Sequence, residues 1–304
     1  KYPYIAFAAQ WDFLHLLAEH ARGYPHFTLR MNADVTGLLR EGDRVTGVRY
    51  CDEHGTTHEL PAALTFAADG RRSATCAAAG LKAVNYGAPM DVLWFRLPRL
   101  ETDPDETFGR LGNGHMLVLI NRDHYWQAAY VIPKGGYAQL RAAGLATVRH
   151  NVAALLPWLA DRVAALSDWT ALALLEVQVA RLRRWHLPSL LAIGDAAHAM
   201  SPIAGVGINL AIQDAVATAN ALTAPLRAGT ITQRHLHAVQ RRRAFPAAVT
   251  QAVQRVIQRR VIGRTLRGGA PAVPLPVRLL ARTGLGPRIA ARFIGMGVRP
   301  EHLR

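Results

Sequence analysis

The stretch Leu190-Leu191-Ala192-Ile193-Gly194-Asp195-Ala196-Ala197-His198-Ala199-Met200-Ser201-Pro202-Ile203-Ala204-Gly205-Val206-Gly207-Ile208-Asn209 decides how the chain is read. The apolar run after Pro188 is short enough for a buried strand, and it delivers Gly194-Asp195 at its end. Ligands of open parallel sheets collect beyond the carboxyl ends of the strands. A carboxylate there can accept hydrogen bonds from the hydroxyls of a sugar or sugar alcohol. Gly205 and Gly207 carry no side chain, so a flat ligand can approach the backbone closely. A long helix, predicted from Asn209 to about Leu222, begins directly behind them. Its free N–H groups and positive dipole end stabilise negative charge on whatever lies over the turn.

Working outward, residues 64–68 form a second predicted buried strand, ending in Asp69-Gly70, and a short helix follows from Ser73 to Gly80. Before it stands a helix carrying Trp11, Phe13, Leu14, Leu16 and Leu17, closed by Gly23 and Pro25. Strand-like pieces at 27–31, 35–40, 44–51 and 56–60, with turns at Glu41-Gly42-Asp43 and Glu53-His54-Gly55, predict an antiparallel meander. After Asn85 come strands at 91–97, 107–111, 115–121 and 124–132, with turns at Gly112-Asn113-Gly114 and Asn121-Arg122-Asp123. An all-β stretch between α/β pieces predicts an inserted sheet domain. Helical periodicity covers 137–163 with a break at Pro157, and 171–180 fits a strand or a helix. The tail from Thr232 reads as Arg-rich helix punctuated by Pro246, Gly268-Gly269, Pro271, Pro274 and Pro276.

The composition fits this reading. With 304 residues the chain has room for about two domains. Half the residues are hydrophobic and 19% are charged, which excludes collagen-like and disordered classes. Cys51 and Cys76 make no disulfide framework and no CxxC ligand spacing, and they read as reduced thiols in a cytoplasmic protein. No apolar run reaches the roughly 18 residues of a membrane span. The opening Lys1-Tyr2-Pro3-Tyr4 lacks the order of a secretion signal. The net charge is +15, yet only Lys1, Lys82 and Lys134 are lysines. An arginine skew beside abundant Ala and Leu is what GC-rich coding produces, so no nucleic-acid partner is expected, while a weak membrane-surface contact stays open.

The stretch Ala67-Ala68-Asp69-Gly70-Arg71-Arg72-Ser73 resembles the DG motif of the FAD-dependent aromatic hydroxylases, the p-hydroxybenzoate hydroxylase-like flavoprotein monooxygenases. Gly194-Asp195 through Asn209 resembles their GD motif, and Gln10 is similar to a glutamine that touches the cofactor in that family. The resemblance runs from residue 1 to about 225 and more loosely beyond. It implies an α/β fold: an FAD-binding Rossmann-like domain of the glutathione-reductase type, incomplete at its amino end, with an inserted β-sheet substrate domain and a helical tail. The corresponding spans are 1–84 and 186–225 for the FAD-binding parts, 85–185 for the substrate domain and 226–304 for the tail.

Carried over residue by residue, the resemblance implies that Asp195 binds the ribityl hydroxyls. Pro202, Gly205, Val206, Gly207 and Asn209 would border the isoalloxazine ring, and Asp69 with Gly70 would serve FAD and NAD(P)H. Trp94, Arg96, Met116 and Trp126 of the inserted sheet are candidates for lining the pocket of an aromatic substrate. Alternation directs Trp94 and Arg96 to one face. Two departures stand out. Cys76 occupies the position of a family arginine, leaving Arg71 or Arg72 to replace its charge. The family's opening GxGxxG turn has no counterpart, since the pairs Gly112/Gly114 and Gly205/Gly207 lack the third glycine. The implied chain is therefore amino-terminally truncated and holds FAD weakly or not at all.

The implied chemistry is reduction of FAD by NAD(P)H, addition of O2 at flavin C4a and transfer of OH from the hydroperoxide to an electron-rich ring. A second reading keeps the flavin in a geranylgeranyl-reductase-like reductase or oxidase of a lipid-like substrate. A third is a non-catalytic basic binding module. His235 and His237 lie on different helix faces and form no metal site, and His198 reads as a local structural hydrogen bond. Arg255, Arg259, Arg260, Arg264 and Arg267, interleaved with Val253, Val256, Ile257 and Val261, read as a solvated helix face. No catalytic residue, metal ligand or oligomeric state follows from the sequence.

Overall fold

The structure, a computed structural model, describes residues 8–112, 114–269, 283 and 285–304. Lys1-Tyr2-Pro3-Tyr4, Asn113 of one predicted turn and the prolines at 271, 274 and 276 lie outside the described residues. Helix α1 (Gln10–Arg22) buries none of its side chains, and Trp11, Leu16 and Leu17 stand exposed. Three strands make the meander: β1 (Asp34–Glu41), β2 (Arg44–Cys51) and β3 (Thr57–Pro61), paired antiparallel in that order. The expected strand at 27–31 is not one. Asn32 takes a left-handed φ of 53° that turns the chain, and Arg30 anchors the segment by a hydrogen bond to the Tyr50 hydroxyl. Gly47 is obligatory in β2, since a Cβ there would lie 2.2 Å from the Leu60 carbonyl oxygen.

Next come β4 (Thr65–Ala67), α2 (Ala74–Ala78) and β5 (Ala83–Asn85). Strands β6 (Met90–Pro98), β7 (Phe108–Gly112), β8 (His115–Asn121) and β9 (Tyr125–Pro133) precede helices α3 (Tyr137–Ala143) and α4 (Leu145–Leu155). The helical stretch breaks at Gly144 as well as near Pro157. The ambiguous residues 171–180 contribute a strand, β10 (Ala173–Leu175), and start another, β11 (Ala180–Leu182). Strands β12 (His186–Leu187) and β13 (Leu190–Ala192) lead to helices α5 (Gly207–Arg227) and α6 (Gln233–Ile257). A π-helical turn, Gln258–Ile262, extends α6, and a separate helix spans Leu285–Gly295. Helix α5 starts two residues before the predicted Asn209. Helix α6 runs through Pro246 without ending, at the cost of one helical hydrogen bond.

The inserted sheet has the order β10-β6-β9-β8-β7, antiparallel throughout, and β6 pairs with β9 without a register shift. Alternation therefore sorts its side chains cleanly. Leu93, Phe95, Leu97, Leu117, Leu119 and Trp126 point outward and pack against Val148, Val152 and Leu155 of α4. Val92, Trp94, Met116, Val118, Ala129 and Val131 point inward, toward Ile203, Ile262 and Leu266. Between β4 and β13 the pairing is parallel, with Leu190 opposite Thr65 and Ala192 opposite Ala67. A further apolar core under this pair joins Leu191 and Ala192 to Leu210 and Leu222 of α5 and to Leu236 and Val239 of α6. Strand β4 is not fully buried as expected: it is an edge strand, and its middle residue, Phe66, is 42% exposed. Among the described residues no helix is long and apolar enough to cross a membrane.

Candidate functional site

Because β4 and β13 run in parallel register, they release Asp69 and Asp195 at the same end of the sheet. The two carboxylates then have different surroundings. Asp69 accepts the Ser73 hydroxyl at 2.5 Å and the Thr75 N–H at 2.9 Å, while Ser73 Oγ accepts the Cys76 N–H at 2.8 Å. Asp69 thus caps α2, and these hydrogen bonds hold its carboxyl below the ordinary range despite the opposing effect of burial. Gly70 supports the turn with a φ of 82°.

Asp195 accepts no hydrogen bond among the described residues. Its nearest cation is Arg71, whose Nη2 lies 3.7 Å from Oδ2. Burial pushes the Asp195 carboxyl up, against the pull of Arg71 and His198. Of the two arginines expected to replace the family's cation, Arg71 faces Asp195, whereas Arg72 pairs with Glu176. Cys76 is buried, and burial raises its thiol pKa.

The turn that follows brings its backbone onto this carboxylate. Ala204 and Gly205 both take positive φ, near 63° and 62°. A Cβ on Gly207 would lie 3.9 Å from Asp195 Oδ1 and 3.6 Å from Met200 Cβ. Gly207 opens α5, whose N-cap makes no side-chain hydrogen bond, so its leading N–H groups have no side-chain acceptor among the described residues. Val206 is buried, Pro202 is half-buried, and the Asn209 amide donates to the Ile294 carbonyl at 3.4 Å. Gln10 is exposed at the start of α1, with no described hydrogen bond to either aspartate. A cleft of about 720 Å³ opens beside Asp69 and Arg71 and extends to Lys134 and Glu176.

Sequence reasoning missed what holds this turn in place. The His198 side chain does not bond locally, although its backbone N–H donates to the Gly194 carbonyl. Its Nε2 lies 2.5 Å from Oδ2 of Asp214, on the apolar stripe of α5. The same oxygen accepts the Gly194 N–H at 3.0 Å, and Arg243 Nε of α6 donates to Oδ1 at 2.9 Å. All three side chains are buried, and His198 and Arg243 hold the Asp214 carboxyl below its ordinary range against the cost of burial. Helix α6 and the π-helical turn that extends it add three buried glutamines. Gln251 donates to the carbonyls of Ala180 and Ala199, Gln254 to those of Ser201 and Ile203, and Gln258 to the Ser201 hydroxyl, all at 2.9–3.1 Å. Their i, i+3, i+7 spacing was a readable helix face, overlooked beside the arginines.

Of the substrate candidates, Trp94 and Met116 lie on the inner face of the sheet. Arg96 shares it, exposed, with its guanidinium 4.8 Å from the centre of the Tyr125 ring. Trp126 corrects the expectation. It lies fully buried on the outer face, where its indole N–H donates to Asp103 at 2.8 Å. Alternation fixes which residues share a face, and only the packed helix shows which face is covered. His235 caps α6 by accepting the Thr232 N–H, and the His237 ring lies 5.8 Å from that of His186.

The residues present suit the ribityl and ring half of FAD. A partly buried carboxylate without a donor matches a chain of hydroxyls, and an uncapped helix start matches an electron-rich carbonyl edge.

A family model described as FAD binding domain matches residues 1–253. The chain is 35% identical over 269 residues to the 6-methylpretetramide 4-monooxygenase of Streptomyces rimosus, a match covering 88% of this chain. It spans 64% of that relative's length. Among solved structures, the fold is similar to the OxyS anhydrotetracycline hydroxylase from Streptomyces rimosus, with TM-score 0.71 and 21% identity over 98% of this chain and 58% of that one. It is also similar to PqsL, a probable FAD-dependent monooxygenase from Pseudomonas aeruginosa, with TM-score 0.69 and 18% identity over 84% and 71% of the two chains.

Proposed function

This chain belongs to the FAD-binding domain family, and on that premise we propose that it serves an FAD-dependent monooxygenase that hydroxylates an aromatic or similarly electron-rich small molecule. NAD(P)H is the electron donor and O2 the oxidant. The observation that carries this reading is the meeting of the donor-free Asp195 carboxylate with the uncapped start of α5 across Gly207. Asp195 would hold the ribityl hydroxyls. The first turn of α5, with Pro202, Gly205 and Val206, would lie along the ring. When bound, FAD supplies transfer of two electrons from NAD(P)H and activation of O2, so that one oxygen atom enters the substrate and the other leaves as water. The protein's own part is placement: Asp214, Arg243 and the α6 glutamines keep the turn in position, and the inner sheet face excludes water. The names of the relatives, a pretetramide monooxygenase among them, support the same reaction class.

Titration of the chain with FAD, followed by flavin fluorescence, tests the reading. A weak but saturable response is expected, and Asp195→Ala should weaken it about tenfold or more, as loss of hydrogen bonds to a charged group does. Equal affinity in the variant overturns the assignment. Hydroxylated product formed with NAD(P)H consumption is the outcome expected of a monooxygenase. Peroxide alone, or a saturated double bond, would identify an oxidase or reductase instead.

A further inference from the structure

Along its second half, helix α6 is built inside out. The side it buries is polar, formed by Thr250, Gln251, Gln254 and, in the π-helical turn, Gln258. The opposite stripe is apolar: Val249, Val253 and Val256 follow at spacings of four and three residues, and Val253 and Val256 are 38% and 49% exposed. A helix that packs on a core turns its apolar side inward, so this stripe is aimed at something outside the fold. It runs on into Arg259, Arg260, Arg264 and Arg267, all exposed. Among the described residues the ion pairs of α6 are made by Arg242 and Arg243, and these four arginines have no acidic partner. The charge of the whole chain is concentrated in the same region. Residues 233–304 hold fifteen arginines and one acidic residue, Glu301, and so carry +14 of the net +15. Residues 1–232 hold 21 basic and 20 acidic residues. A coding bias acts along the whole chain and does not produce this division.

We propose that the outer face of α6 docks on an anionic lipid surface, with Val253 and Val256 entering the headgroup boundary and Arg259, Arg260, Arg264 and Arg267 meeting lipid phosphates. The pairing of the two chemistries carries the proposal. Arginines gain from the negative potential of an anionic leaflet, and exposed apolar side chains gain by leaving water. A second copy of this chain would set the same excess of arginines face to face. A nucleic acid would match the arginines and leave the valines in water. The helix Leu285–Gly295 repeats the combination, exposing Ile289 beside Arg288 and Arg292. Attachment of this kind is peripheral, with the helix lying in the interface plane. It does not depend on the flavin reading, since the glutamines that hold the turn after β13 occupy the opposite side of the helix.

Co-sedimentation of the full chain with phosphatidylcholine vesicles, with and without phosphatidylglycerol, tests this. Binding to the anionic vesicles should be at least about tenfold tighter and should weaken as salt is raised. Val253→Asn combined with Val256→Asn should weaken it about tenfold or more, because two side chains no longer gain by leaving water. Arg259→Gln combined with Arg260→Gln should weaken it by a similar factor. All four residues are exposed, so both double variants should keep the melting temperature of the unmodified chain. Equal sedimentation with the two kinds of vesicle, or unchanged binding in the valine variant, overturns the proposal. Duplex DNA bound more tightly than the anionic vesicles, and lost only in the arginine variant, overturns it in favour of a nucleic acid. A dimer in sedimentation velocity that the valine variant abolishes overturns it in favour of a second copy.

Discussion

Two irregularly shaped surfaces in this molecule are covered by helices, and they are held by opposite means. Helix α4 covers the outer face of the five-stranded sheet almost entirely with apolar side chains, Val148, Val152 and Leu155 against Leu117, Leu119 and Trp126. Helices α5 and α6 cover the turn after β13 with buried polar ones, Asp214, Arg243, Gln251, Gln254 and Gln258. The sheet has already paired its backbone, so its cover needs only shape and apolar area. The turn has carbonyls at Ser201 and Ile203 outside any ladder, and each would be costly to bury without a donor. Directional bonds also fix position more tightly than apolar contact does, which suits a turn proposed to border a cofactor.

The comparison breaks most directly with one substitution on each side. Trp126→Ala and Asp214→Ala should each cost about 3–5 kcal/mol, the first by leaving a cavity and taking one donor from Asp103, the second by removing the buried acceptor shared by Gly194, His198 and Arg243. Denaturant unfolding measures both. Only Asp214→Ala should also lower affinity for FAD, and an equal loss in Trp126→Ala would erase the distinction. Gln254→Leu tests one rung alone. About 1–3 kcal/mol is expected, because the Ser201 and Ile203 carbonyls lose their donor, with a corresponding fall in FAD affinity.

The smallest effect has the opposite sign. The folded-state pKa of Asp195 is raised by burial, so its favourable contribution is present below the ordinary carboxylate value and is lost as pH rises through the folded value. Asp195→Asn should therefore raise the melting temperature at neutral pH, and the gain should shrink on acidification. A lower melting temperature at pH 7 would show that the ion pair with Arg71 outweighs burial.

The parts of this arrangement that were legible in the sequence are those set by local rules. Short apolar runs gave β4 and β13, alternation gave the sheet, and glycines at 205 and 207 marked the turn. What stayed hidden depended on partners far along the chain. Asp214 is a charge on an apolar helical stripe beside Leu210 and Ala217, which signals a buried partner without naming Arg243. The three glutamines lay among arginines in a helix read by its charge. Trp126 went to the wrong face because parity along a strand does not say which side α4 will cover, and residues 27–31 lost their strand to a left-handed Asn32.

Helix α6 reaches both halves of the molecule by way of its wide turn at Gln258–Ile262. Gln258 bonds to Ser201 of the turn after β13, while Ile262 joins the inner wall of the sheet. A π turn holds one residue more than regular helix needs and absorbs it locally, so the helix on either side keeps its direction. One continuous helical rod therefore ties the bend after β13 to the sheet, so that neither can shift without the other.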